Sequence, residues 1–287
     1  MPTETEAEAE EPDTIRTLPE LRRSAKPLIT RATHKGWKVF GSLVAVVALG
    51  MGLMQVVVAL GHRTYTVDRE FDASGLRSLE VHNGADGTIR IVGAETDKVT
   101  VKARVSDGIR HTGHSERVDG DRLILDSTCP TVGSSFCEVK YTVEVPRALN
   151  VLARVDSGSI SVTDVDGDVD VRSDSNGVEL ARIGGTIRVS SDSSSVTGTD
   201  LRAGNVDASS DSGHVFLDFA QPPDNVVAKS DSSGVEVVVP DDDTAYKVEP
   251  TSDSGDVVVE VPTDPSSSRT IVISSDSSDV VVRRSGS

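Results

Sequence analysis

VLARVDSGSISVTDVDGDVDVRSDSNGVEL, residues 151–180, holds two copies of one short pattern: Asp, Ser, a small residue, any residue, then Val or Ile. The copies open at Asp156 and Asp174. Five more open at Asp192, Asp211, Asp231, Asp253 and Asp276. Successive intervals are 18, 18, 19, 20, 22 and 23 residues. A repeat of about 20 residues that carries its own turn marks a stacked fold, in which each unit packs on its neighbours.

Counted from the Asp, positions −5 and −3 are apolar: Val151 and Ala153 in the first copy, Ile271 and Ile273 in the last. Positions +4 and +6 are apolar too, as in Ile160/Val162 and Val280/Val282, with Gly198 beside Val196 as the exception. Each copy therefore reads as two short strands with inward-facing pairs. Seven steps separate −3 from +4. That number is odd, so an unbroken strand would send the two pairs to opposite faces. The Asp-Ser-Gly segment sits where the chain must flip. Gly158, Gly177, Gly213, Gly234 and Gly255 are expected to supply positive φ there, and the Asp and Ser side chains to bond amides two residues on.

The second corner is looser. It lengthens toward the C-terminus through Pro222-Pro223, the run from Asp241 to Asp243, and Pro262 to Ser268. The expected class is an all-β ectodomain built as a parallel β-solenoid, preceded by a single transmembrane helix. Regular Asp-Ser-Gly repeats run over 155–285, and seven rungs at about 4.8 Å make a stack about 34 Å tall. An antiparallel sandwich or meander is the alternative.

Upstream, residues 64–150 alternate apolar and polar in bursts such as Leu79–Val81, Thr88–Val92, Val99–Ala103, Leu123–Leu125 and Val139–Val145. Period two over such lengths reads as half-buried strands. Asn83-Gly84-Ala85-Asp86-Gly87 looks like a degenerate copy of the later corner, and Pro146 closes a strand because it has no N–H to donate.

Val39 to Gly61 is 23 residues without a charge. As a helix it measures about 34 Å, enough for a hydrocarbon core of about 30 Å. Arg16, Arg22, Arg23, Lys26, Arg31, Lys35 and Lys38 precede it, and Arg63 and Arg69 follow. The positive-inside rule then puts the N-terminus in the cytoplasm and the C-terminal part outside. The expected organisation is a cytoplasmic tail over 1–38, acidic and disordered and then basic, a single-pass helix over 39–61, a linker over 62–74 and the β-strand-repeat ectodomain over 75–285. The expected location is a bacterial cell membrane.

Acidic residues outnumber basic ones 46 to 29 among 287, for a net charge of −17. Residues 62–287 hold 39 of those acids and 22 of the bases, so the whole excess lies beyond the apolar run. Such a surface repels phosphate backbones, which argues against nucleic acid as a partner. Aromatics at 3% leave little for base stacking. Cys129 and Cys137 read as a disulfide closing a tight loop, with two free thiols as the alternative. An extracytoplasmic setting favours the bridge.

The stretch VPRALNVLARVDSGSISVTDVDGDVDVRSDSNGVEL, from Val145 to Leu180, resembles the bacterial DUF4097 family of β-strand-repeat domains, named as adhesins. Its hallmark is a run of x-Ser-x-Ser-Gly-x-Val-x-Val repeats after a Val-Pro element like Val145-Pro146. The resemblance covers roughly residues 75–285. It implies an envelope-associated, non-enzymatic, solenoid-like domain and offers no catalytic residues and no cofactor.

One constellation carries chemistry of its own. Stacked in register, Asp156, Asp174, Asp192, Asp211, Asp231, Asp253 and Asp276 would repel by about 0.9 kcal/mol per neighbouring pair even in water. Hard oxygen donors suit Ca²⁺. Satisfaction by turn amides and water is the plainer reading, and no metal site is assigned. Gly113-His-Ser-Glu-Arg117 faintly resembles a nucleophile elbow but lacks its last glycine. The sequence points to a non-catalytic surface binding or adhesion module with an unknown envelope ligand. An envelope sensor signalling through its tail, or a structural envelope protein, are the alternatives.

Overall fold

The computed structural model describes residues 34–108, 110–130 and 137–286, with side chains from residue 40 onward save 54 and 56–61. The acidic and basic stretches of the expected tail fall on residues 1–33, outside the described residues. So does the interior of the cysteine loop, 131–136.

The chain divides into two compact units, Met1–Leu53 and Met54–Ser287. Helix α1 spans His34–Gly61. Its described side chains, 40–53 and 55, are all exposed. They cover about 24 Å of helix. Over the described residues, no helix is long and apolar enough to cross a membrane.

The second unit begins with β1 (Arg63–Asp72), β2 (Ser78–Gly84), β3 (Ile89–Ala94), β4 (Lys98–Asp107), β5 (Gly113–Asp119), β6 (Arg122–Thr128) and β7 (Glu138–Pro146). The repeats then supply strands in pairs, one before each Asp-Ser corner and one after. These are β8 (Asn150–Val155) with β9 (Ile160–Thr163), β10 (Val169–Ser173) with β11 (Val178–Ala181), and β12 (Ile187–Ser191) with β13 (Val196–Leu201). Next come β14 (Asn205–Ser210) with β15 (Val215–Phe219), and β16 (Asn225–Ser230) with β17 (Val235–Val239). The last two copies give β18 (Lys247–Ser252) with β19 (Val257–Glu260), and β20 (Thr270–Ser275) with β21 (Val280–Arg284).

The first strand of each pair joins a 10-stranded sheet and the second an 11-stranded sheet. All repeat strands run parallel to their neighbours in register, Val151 beside Val169 beside Ile187 beside Val206. The two sheets face each other across one core made of the expected inward pairs, save in the sixth repeat, where Val257 and Val259 lie outside it. Gly198 is a real gap in that pattern. A register shift between Gly198 and Leu201 brings the Leu201 side chain to where a Cβ on Gly198 would stand, 2.7 Å away. Leu201 is buried and fills the space.

The stack departs from the sequence reading in three ways. First, it is longer. Among the described residues there are nine parallel rungs, because β2 with β3 and β6 with β7 are rungs too. The degenerate corner at Asn83–Gly87 turns one of them. Second, the expected linker over 62–74 contains β1, a ten-residue strand antiparallel to β4, which is antiparallel to β7 in turn. The alternation of Tyr65, Val67 and Phe71 with polar neighbours is the strand signal there. Together with β5, antiparallel to β6, these strands extend the two sheets past the last rung at one end of the stack, where β1 and β5 are the edges.

Third, the rungs do not stack in chain order. The 10-stranded sheet runs β18-β20-β16-β14-β12-β10-β8-β2-β6-β5. The last repeat sits inside, between the fifth and the sixth, and the sixth forms the end. The same exchange occurs at the other pole, where β2 lies inside β6. Composition explains the C-terminal exchange. The last repeat points Ile271, Ile273, Val280 and Val282 inward, all with zero exposure. The sixth offers Val248 and Pro250, and Pro250 has no N–H for an interior ladder. Lys247 and Asp253 direct their N–H groups toward the β20 side, to Arg269 and Ser275. By strand alternation Pro250 faces the open edge, where nothing is lost. The long intervals of 22 and 23 residues are the chain needed to skip a rung and return. Arg269 anchors the return: its Nη1 donates to the Pro222 and Pro223 carbonyls, 2.9 Å each, and pairs with Asp224 at 2.7 Å.

Ending the chain after Glu260 tests this order. A stack in chain order would keep six intact repeats. The observed order leaves β18 and β19 without β20 and β21, so their amides are expected to lose protection in hydrogen–deuterium exchange while β8 to β17 keep theirs.

Candidate functional site

Each corner is bounded by inward-facing strands, so its backbone polar groups must be satisfied away from water. The expectation assigned that task to the Asp and the Ser after it. The structure gives it to the residue before the Asp. Position −1 shares the parity of −5 and −3 and therefore points inward. It is Ser in six of the seven copies, and Ser173, Ser191, Ser210, Ser230 and Ser275 are buried.

Their hydroxyls work in two directions. Five of the six accept the N–H three residues on: Ser194 to Ser191 at 2.9 Å, Gly213 to Ser210 at 2.8 Å, Ser233 to Ser230 at 3.1 Å, Ser278 to Ser275 at 3.0 Å and Gly255 to Ser252 at 2.8 Å, while the Ser173 hydroxyl lies 3.3 Å from the Ser194 hydroxyl instead. Each of the last four also donates to the carbonyl of that same corner residue one rung away. Ser210 donates to Ser194, Ser230 to Gly213, Ser275 to Ser233 and Ser252 to Ser278, all at 2.9 Å. The relay follows the stack in space, so it passes from the fifth repeat to the seventh and then to the sixth. Bonds linked in this way polarise one another in a low-dielectric interior.

At the other pole Asn83 and Ser127 hold the equivalent places. Asn83 Nδ2 donates to the Val139 carbonyl at 3.0 Å, and Ser127 Oγ donates to Asn83 Oδ1. Val155 interrupts the column in the first repeat. Parity alone identifies this serine in sequence, a signal that a pattern counted from the Asp passes over.

Asp156, Asp174, Asp192, Asp211, Asp231, Asp253 and Asp276 do form an exposed row along the corner. The backbone N–H groups of the first six join the parallel ladder, as in Asp192 to Ser173 at 3.1 Å. Their carboxylates take no hydrogen bond or ion pair among the described residues, so the expected Asx turns are not formed. Nor do the described residues contain a group of three or more His, Cys, Asp or Glu placed to hold a metal ion. The corner glycines also act differently from expectation. Of the five, Gly158 takes positive φ, 141°. Gly213 is required by close approach instead, since a Cβ there would stand 1.9 Å from the Ser194 carbonyl oxygen.

Cys129 and Cys137 are joined in a disulfide, as expected. Gly113 to Arg117, the elbow-like stretch, is part of β5. Strand alternation puts Ser115 on the exposed face and His114 and Glu116 on the other, so serine and histidine do not form a nucleophile–base pair. His114 is instead held between Glu116, 3.0 Å from Nε2, and the Tyr141 hydroxyl, 3.0 Å from Nδ1. Burial pushes the Tyr141 phenol well above its ordinary range. A cleft of about 460 Å³ opens beside this group, lined also by Arg69, Glu70 and Phe71.

Four carboxylates are held below their usual range: Asp72 and Asp264 by hydrogen bonds from Ser74 and Ser266, and Asp107 and Asp164 by more extensive sets of partners. Burial works against Asp107, but bonds from His111 Nδ1 at 2.9 Å and the Thr112 N–H at 2.8 Å outweigh it. Arg182 lowers Asp164 through two bonds of 2.8 Å at the second corner, helped by Arg147 and Arg202.

Ser230→Ala should cost about 2–4 kcal/mol in urea unfolding, because it strands the Ser233 N–H and the Gly213 carbonyl. Asp231→Ala should stay within about 0.5 kcal/mol, and the reverse ranking would refute the serine relay. For Asp107 the sign is that of a depressed carboxylate. Its stabilisation is present above the unfolded value of about 3.9 and disappears as pH falls through the folded one. Asp107→Asn should therefore lower stability at pH 7, with the gap to the parent closing below about pH 4.

No curated protein matches the chain. Solved structures resemble its fold at low identity. A Clostridium sporogenes protein provisionally named for cell adhesion is 11% identical, with 77% of this chain and 100% of that one covered and a TM-score of 0.36. A Parabacteroides distasonis protein provisionally named for lipid binding is also 11% identical, covering 77% and 95%, with a TM-score of 0.39. A second protein from that organism, provisionally named an adhesin, is 13% identical, covering 76% and 97%, with a TM-score of 0.32. The model of the Toastrack DUF4097 family matches residues 76–285, which takes in the stack from β2 to β21, and the chain belongs to that family.

Proposed function

We propose that the protein is a membrane-anchored, extracytoplasmic binding module that works without catalysis, holding a cell-envelope or surface ligand on its β stack. The observation that carries this reading is the corner column. The inward serines before the corners satisfy the chain's own backbone, and they leave a scaffold whose outer rows, the aspartates among them, recur from rung to rung. Repeated rows suit many weak contacts acting together. Membership of the Toastrack DUF4097 family, resemblance to which implies an envelope-associated, non-enzymatic domain, supports the same direction.

Anchoring is supported by α1. Phe40, Leu43, Val46, Leu49 and Leu53 are all more than 60% exposed. A helix that is apolar on every side calls for an apolar surrounding rather than water. In the sequence the uncharged run continues to Gly61. The basic residues before it favour a cytoplasmic N-terminus, and the disulfide fits an oxidising exterior.

Topology is read with single cysteines on intact bacteria, because the native pair is already oxidised. Ser285→Cys is expected to react with a membrane-impermeant maleimide and Thr3→Cys to stay silent until the cells are opened. The opposite pattern, or release of the chain by alkaline carbonate, overturns the anchor. Deleting 75–285 should abolish retention of envelope fractions, while deleting 1–30 leaves it intact. A loss of phenotype from the second deletion, with surface display unchanged, would favour signalling through the tail.

A further inference from the structure

The two ends of the stack differ. At one end β1, β4 and β5 run antiparallel past the last rung, and Leu123, Leu125, Tyr141 and Val143 beside them are buried. At the other end the core is open. β19 is the edge of its sheet. Val257 is 46% exposed and Val258 37%. Beside them lies a groove of about 480 Å³ lined by Tyr246, Val248, Pro250, Val259, Val261 and Pro265, with Lys247 and Glu249 on its wall paired to each other at 2.6 Å. Its far wall is the return segment, fixed where the Asp264 N–H donates to the Tyr246 carbonyl and the Tyr246 N–H to Pro262.

The backbone of β19 is available for pairing. The Val280 N–H donates to the Asp256 carbonyl, so Asp256, Val258 and Glu260 turn their backbone groups toward β21. Val257 and Val259 turn theirs outward. Neither is a proline, unlike Pro250 across the groove. A strand laid on this edge would extend the 11-stranded sheet, and its inward side chains would cover the open end of the core.

Charge selects the occupant. Exposed Asp256 and Glu260 flank the three valines. A second copy pairing antiparallel about Val258 would set Asp256 against Glu260 of its mate, two like-charge pairs that disfavour it. A strand with basic residues four apart meets both acids. We propose that this end is a strand-docking site for an extended peptide segment of a partner protein, of the pattern basic-apolar-x-apolar-basic. Its two apolar side chains enter the groove and its basic ones face Asp256 and Glu260. The proposal gives the binding module read above a specific site, and it rests on that reading.

The probe is a fluorescein-labelled peptide, Thr-Lys-Val-Thr-Val-Lys-Thr, titrated by anisotropy into the full chain in detergent micelles. Its control carries Glu in place of both Lys. The basic peptide is expected to bind at least tenfold more tightly than the acidic one. Val257→Pro removes an outward N–H and should weaken binding at least tenfold while leaving the Tm unchanged. Asp256→Lys with Glu260→Lys should reverse the preference, a result that misfolding cannot produce. No saturable binding, indifference to Val257→Pro, or a preference unmoved by the charge reversal overturns the proposal. So does a dimer in sedimentation that Val257→Pro dissociates, since a second copy then fills the end. Failure here with the Ser285→Cys labelling intact removes the docking end alone. Failure of that labelling removes the external module.

Discussion

A hydroxyl that accepts an amide from its own corner and donates to a carbonyl of the next is the interaction on which this stack depends. A chain that passes between facing sheets within a few residues directs some amides and carbonyls into the core. Left alone, each would cost about 1–3 kcal/mol. Ser191, Ser210, Ser230, Ser275 and Ser252 meet that demand with a side chain small enough to leave the inward valines in contact. Each link also ties a corner to the corner beside it. The hydrogen bonds of the strands, the packing of the core and the relay therefore specify the same rung spacing.

Both chain ends of the stack are tucked one rung inside it. A terminal rung of a solenoid has neighbours on one side only, so its inward side chains gain about half the burial of an interior pair. Placing the rung of Ile271, Ile273, Val280 and Val282 inside and the rung of Pro250 outside uses the more apolar sequence where burial is complete. The exchange has a mechanical consequence as well. Strands β20 and β21 are held on both sides, so the C-terminus cannot peel away without breaking ladders to two neighbours.

Much of this was legible in the residues. Period two in Val169-Asp-Val and Ile187-Arg-Val located the strands, and the odd step between −3 and +4 required the flip that produces two sheets. The order of rungs was not legible from the pattern alone, because identical corners fit any order. Pro250 was the clue, since a proline in a strand belongs at an edge. The serine relay was hidden by beginning each repeat at the most conspicuous residue, the Asp, rather than at the last inward position. Strand β5 escaped because Gly113-His-Ser-Glu-Arg has little apolar content, and it forms as an edge paired to β6. β1 escaped for a similar reason, its Tyr65 and Val67 standing among charges just past the apolar helix.

The aspartates remain to be placed within this scheme. They follow the serines, point to water and leave their carboxylates unpaired, so they add little to the corner itself. Their effect is collective. A row of seven like charges along one flank, in a part of the chain that carries the whole net charge of −17, repels the same flank of any other copy. Parallel stacks with apolar faces are prone to lateral association, and edges of unpaired strands more so. Charge on the flank opposes the first route, and at one pole the sheet edges are β1 and β5, strands with many exposed polar and charged side chains. The pole formed by Val257, Val258 and Val259 is governed by different chemistry: Val257 and Val259 turn backbone donors outward, its core is open and the two carboxylates flanking its edge strand, Asp256 and Glu260, sit four residues apart. Contact with another protein is therefore discouraged along the length of the stack and admitted at one end, on terms set by two carboxylates.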